Sequence, residues 1–175
     1  DTLTRTLQPQ GIVGEPGDRL EALRLKGPPH ESLKFDAEFD ATDAPDKYAD
    51  GLYPVLSALE LSIYPTTAQL RAEDQLAHGG QLEIAPAESA LMVLVLGPKR
   101  VLPVRLTDLS ITEEAFDQAL NPIRAKVSVG VRVLTVDDLG FQHKGGLLYL
   151  SYQEQKQRFA ATINSPITAV GVNTI

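Results

Sequence analysis

Hydrophobic and polar positions alternate most strictly over Leu33-Lys34-Phe35-Asp36-Ala37-Glu38-Phe39-Asp40. A period of two places alternate side chains on opposite faces, so this stretch predicts a strand with one packed and one wet face. A longer alternation follows, with Ile123, Ala125, Val127, Val129, Val131 and Val133 on one side and Arg124, Lys126, Ser128, Gly130 and Arg132 on the other. That length suits a barrel wall or a sheet continued by a neighbouring subunit. The uninterrupted apolar run Ala90 to Leu96 predicts a strand buried on both faces, joined through the turn Gly97-Pro98-Lys99-Arg100 to a second strand over Val101 to Thr112. Arg19 to Lys26 is a weaker strand candidate, closed by Gly27-Pro28-Pro29.

Helical spacing appears in two places. Val55, Leu56, Leu59 and Ile63 recur at helical intervals behind Pro54, which fits a first helical turn, and Pro65 closes that segment. Thr66 or Thr67 then caps a second helix to about His78, before Gly79-Gly80. The acidic stretch Ala41 to Gly51 and the segment Asp137 to Gly146 read as loops, and Leu147 to about Ile163 as a closing helix. The fold class is therefore mainly β with packed helices (α+β), one domain over residues 1–163 followed by a tail over 164–175.

The chain has 175 residues, a net charge of -7, no Cys and no Trp. The acidic balance disfavours a nucleic-acid partner held by a basic groove, and the lack of Cys removes disulfides, thiolate metal sites and a thiol nucleophile. No apolar run approaches the roughly 20 residues of a membrane helix, so direct membrane insertion is not expected. The series Asp36, Glu38, Asp40, Asp43, Asp46 and Asp50 lacks the Gly-containing loop of a calcium site and reads as a solvated face. His30, His78 and His143 show no metal-ligand spacing, and no Gly-x-Ser-x-Gly or His-Glu-x-x-His element accompanies them. Gly79-Gly80 and Gly145-Gly146 lack the Gly-Lys-Ser/Thr context of a phosphate loop. No enzyme activity, metal or cofactor is expected; a hydrolase built on His143 and Asp137 is a remote alternative. Long alternating strands without a catalytic set point instead to an assembly subunit, whose sheet edges pair with other copies.

Four segments carry a family resemblance: Gly17 to Pro29 (GDRLEALRLKGPP), Leu33 to Asp43 (LKFDAEFDATD), Val101 to Asp117 (VLPVRLTDLSITEEAFD) and Leu120 to Leu134 (LNPIRAKVSVGVRVL). Together they resemble the tube-type proteins of bacterial contractile injection systems, phage-tail-like machines with an inner tube of stacked hexameric rings. The resemblance runs from about Asp1 to Phe159. It implies a tube-protein-like β-barrel or sandwich with packed helices, assembled as a homohexamer around a lumen, without enzyme activity. Partners would be the inner-tube protein and a baseplate/spike hub or cap protein. The particle would assemble in the bacterial cytoplasm and be released or anchored afterwards.

Two departures bear on the branch. The Asn-Pro strand that usually opens family members is missing ahead of Asp1, so an N-terminally trimmed chain is expected. Only 16 residues follow Phe159, too few for the LysM module of hub members. The expected role is a tube-end adaptor, favoured over an ordinary repeated tube subunit by the helical segment Pro54 to His78. A monomeric, non-catalytic binding module is the alternative from another class. Under the ring reading, Lys34, Asp36, Glu38 and Asp40 on one strand and Arg124, Lys126, Ser128 and Arg132 on the other are candidates for subunit contact or lumen lining. The acidic face around Asp36, Glu38 and Asp40 would then keep acidic cargo from sticking.

Overall fold

The computed structural model describes residues 2–10, 25–42, 49–79 and 89–163. The strands are β1 (Leu3–Gln8), β2 (His30–Asp40), β3 (Met92–Val95), β4 (Val101–Phe116) and β5 (Pro122–Val133), and the helices are α1 (Tyr53–Glu60), α2 (Thr67–His78), α3 (Val136–Leu139) and α4 (Lys144–Ala161). The fold is α+β, with the strands hydrogen-bonded in the order β1-β2-β5-β4-β3. The chain forms two compact units, and β4 contributes to both.

The first unit holds Asp1–Pro9, Pro29–Leu91 and Arg105–Arg132. In it β2 lies antiparallel to both β1 and β5, with Leu3 opposite Phe35 and Phe35 opposite Val129. Period two sends Leu33, Phe35, Ala37 and Phe39 to the packed side, as expected from their alternation. Ala41, Ala125 and Val127 form a buried cluster there with Leu52 and Leu56 at and within α1, surrounded by Phe39, Leu59, Leu109, Ile111 and Val129. Pro54 lies in the first turn of α1, where its missing N–H costs nothing. Thr66 caps α2 through a capping box: Thr66 Oγ1 accepts from the Gln69 amide at 3.2 Å and Gln69 Oε1 accepts from the Thr66 amide at 2.8 Å. None of the α2 residues is buried, so this helix is held by local bonding more than by a core.

The second unit holds Gln10–Pro28, Met92–Val104 and Val133–Ile175. Its β3–β4 hairpin pairs Met92 with Val104 and Val95 with Val101, and Leu102, Val104, Val133, Tyr149 and Tyr152 are among its buried positions. At the hairpin tip Lys99 lies 5.6 Å from the centre of the Phe159 ring on α4, a cation–π contact within one unit.

Several expectations are corrected. The run Ala90 to Leu96 is not buried on both faces: β3 is a four-residue outer strand, and Val95 is 61% exposed. The segment Asp137 to Gly146 is not all loop. Thr135 caps α3, accepting from the Asp137 amide while Asp138 accepts from the Thr135 amide, and α4 begins at Lys144. β4 runs on to Phe116 through Glu113 and Glu114, because an exposed strand tolerates charge as an exposed loop does. The strand candidate Arg19 to Lys26, the acids Asp43 and Asp46, and the tail 164–175 lie wholly or mainly outside the described residues.

The β4–β5 turn is organised by Asp117. Its Oδ1 accepts from the Ala119 and Asn121 amides, each at 2.8 Å, and its Oδ2 from Asn121 Nδ2 at 2.9 Å. Bonding to Asn121 holds the Asp117 carboxyl below its ordinary pKa. Chemical denaturation at neutral pH should therefore show a larger loss for Asp117→Ala than for Asp117→Asn, which keeps one acceptor oxygen. With the folded pKa lowered, the carboxylate's contribution is present above its unfolded pKa and disappears as pH falls through the folded one. The gap between wild type and Asp117→Ala should shrink over that acid range.

Candidate functional site

All eight residues singled out from the sequence share the polar face of β2 and β5. The antiparallel register sets Asp40 opposite Arg124, Glu38 opposite Lys126, Asp36 opposite Ser128, Lys34 opposite Gly130 and Ser32 opposite Arg132. This pairing follows from the two alternations, since burying the odd positions of both strands leaves the even positions together on the other side.

The face is interlocked by charge. Arg124 donates through Nε (3.1 Å) and Nη2 (2.9 Å) to Asp40 Oδ2. Asp40 Oδ1 accepts from the Thr42 amide at 2.9 Å and from its hydroxyl at 2.6 Å. Ser128 donates its hydroxyl to Asp36, whose other oxygen lies 4.0 Å from Lys126 Nζ. Three carboxylates thus share the face with four cations, Lys34, Arg124, Lys126 and Arg132. The expectation of an acidic face is corrected: each strand looks acidic or basic alone, and pairing removes the imbalance. Gly130 provides for a close approach of β4, because a Cβ there would lie 3.0 Å from Asp108 Cβ and 3.2 Å from Thr107 Oγ1.

The Thr42 hydroxyl and amide, then Arg124, hold the Asp40 carboxyl down at about 2, against an ordinary 3.8. A lowered folded value means that these contacts stabilise the fold above about pH 4 and lose their effect as pH falls toward 2. In a carboxyl NMR titration, Thr42→Ala and Arg124→Ala should each move the Asp40 midpoint up toward 3.8. An unmoved midpoint in both variants would disprove this account of the contacts.

A buried carboxylate escaped the sequence reading. Glu31 lies on the packed side of β2, only 3% exposed, with Arg5 Nε of β1 at 3.1 Å from its Oε1. The signal was its phase: position 31 falls in step with Leu33 and Phe35, where a charge requires a partner.

Among the described residues, two further features carry polar groups. Ile63, Leu106, Thr107, Asp108 and Leu109 line a depression of about 230 Å³ in the first unit, with one carboxylate and one side-chain hydroxyl. That volume falls below the roughly 300 to 1,000 Å³ usual for ligand pockets. His143 is the N-cap of α4, its Nδ1 accepting from the Gly145 amide at 3.1 Å. Among the described residues, no group of three or more His, Asp and Glu is placed to hold a metal ion, and no helix is long and apolar enough to cross a membrane.

No protein-family model and no curated protein matches the chain.

Proposed function

We propose that the chain is a structural subunit of a bacterial contractile injection system, forming a hexameric ring at one end of the inner tube and joining the tube to the baseplate and spike or to the cap. The observation that carries this reading is a five-stranded antiparallel sheet with β1 at one end of its order and β3 at the other. Outer strands present backbone N–H and C=O groups that can pair with another chain, and monomeric proteins commonly block them with charge, Pro or a bulge. Met92–Val95 carries neither charge nor Pro, and its Val93 and Val95 are exposed. Such an edge suits assembly. A heterologous contact between unlike edges of successive copies makes a ring when the rotation closes.

In this assembly the β2–β5 polar face is the candidate for lumen lining or subunit contact. Its matched charges favour a wetted surface without a strong preference for cargo of either sign. Light scattering across the size-exclusion peak, with negative-stain images of the same fraction, tests the reading. The expected result is a mass about six times the 19.0 kDa of one chain and six-fold rings with a central hole. A monomer at all concentrations would overturn it and favour the binding-module alternative.

A further inference from the structure

We propose that β1 is an exchangeable strand, so that in the assembled ring the edge of β2 is occupied by Leu3–Gln8 of a neighbouring copy. The inference rests on the self-association proposed above and specifies how one copy is tied to the next.

Its first support is how little β1 buries. Five of its six residues are exposed and Leu3 is half-buried, so the strand is held mainly by its ladder to β2, from Leu3 opposite Phe35 to Gln8 opposite His30. Almost none of its attachment depends on a core that would have to be rebuilt when the strand moves. The same ladder forms whether the strand comes from the same copy or the next, so exchange sacrifices no contact.

The second support is selectivity. The buried Glu31 carboxylate on β2 is met by Arg5 at 3.1 Å. A strand lying on this edge must bring a cation to that register, or a buried charge loses a partner. The segment Leu3-Thr4-Arg5-Thr6-Leu7-Gln8 meets that requirement in every copy of the chain. An arbitrary extended peptide would not, so the strand that fits this edge is a copy of Leu3–Gln8, which in the ring the neighbouring chain supplies.

The third support is the length of the connection. The Lys26 amide donates to the Gln10 carbonyl and Gln10 Nε2 to the Pro28 carbonyl, each at 3.1 Å, and a segment exchanged through Gln10 would re-form both bonds with the acceptor copy. Residues 11–24 remain as the connection, and covalent geometry limits their span to about 50 Å.

The chain has no cysteine, which makes a direct test clean. Thr6 and Ser32 are opposite each other in the register, so a Thr6→Cys, Ser32→Cys double variant reports which copy supplies the strand. After assembly, oxidation and denaturation without reductant, exchange gives a covalent ladder extending to six chains, while each single variant gives at most pairs. A band at the mass of one chain from particles that are rings overturns the exchange and leaves the ring reading standing. The same band from a protein that is monomeric in solution overturns both. Should this double variant fail to assemble as the unmodified chain does, Gln8→Cys with His30→Cys asks the same question at the other end of the ladder.

Discussion

Gly51→Ala should cost about 3 kcal/mol of stability, by the sum of two independent penalties. Gly51 has φ +60°, a left-handed conformation that costs an L-residue about 1 to 2 kcal/mol. A Cβ there would also lie 2.4 Å from the Pro122 carbonyl oxygen and 3.0 Å from Asn121 Cβ. Neither neighbour is a flexible side-chain end. Pro122 is fully buried at the start of β5, and its carbonyl accepts the Leu52 amide at 2.7 Å, the bond that seats the chain entering α1. Relieving the clash must lengthen that bond and move Leu52 and Leu56 away from Ala125 and Val127. Gly97→Ala is the control: φ is +80°, and nothing lies within 4 Å of the added carbon, so only the backbone penalty applies. Urea denaturation should show a midpoint shift for Gly51→Ala roughly twice or more that of Gly97→Ala, at unchanged slope. Equal shifts would mean that the Pro122 contact is not as tight as described.

How much of this fold could be read beforehand depended on whether local periodicity and burial agreed. β2 and β5 were legible because one side packs and the other is wet along most of their length, so composition reports geometry directly. α1 and α2 were legible from punctuation, Pro54 at one start and Thr66 with Gln69 at the other. The run through β3 misled, because a continuous apolar stretch normally signals burial on both faces; as an outer strand it exposes residues that composition assigns to a core. α3 was missed because four residues carry no periodicity, and only the Thr135–Asp138 capping pair marks it.

For the candidate site, membership of one face followed from counting in twos, but its electrostatic character did not. Asp36, Glu38 and Asp40 occupy one segment and Arg124, Lys126 and Arg132 another, some 90 residues apart, and only the antiparallel register sets acid against base. The same applies to Glu31, whose partner Arg5 lies on β1, a strand too short and too polar to be read from pattern. Long-range pairing converts two ordinary charged strands into a matched surface, and no window of local sequence contains that information.

Gly146→Ala is the second large loss, and its sign runs against intrinsic propensity. Gly146 lies in the first turns of α4, where alanine would gain up to about 1 kcal/mol over glycine in a free helix. An added Cβ, however, would lie 2.0 Å from the Gly140 carbonyl oxygen and 3.1 Å from its carbonyl carbon. Both are backbone atoms of the α3 C-terminus, and Gly140, at φ +80° and ψ 158°, holds a conformation essentially restricted to glycine. The two helices can accept the methyl only by separating, which pulls α4 off the seat that buries Gly145, Gly146, Tyr149 and Tyr152. Overpacking of this kind costs about 1 to 3 kcal/mol, and contact with backbone places Gly146→Ala at the upper end, outweighing the helical gain. With no Trp in the chain, near-ultraviolet circular dichroism reports the tyrosines, and the variant should lose signal from Tyr149 and Tyr152 along with stability. A variant as stable as wild type, or more so, would show that helix propensity decides this position and that α3 and α4 do not meet through their glycines.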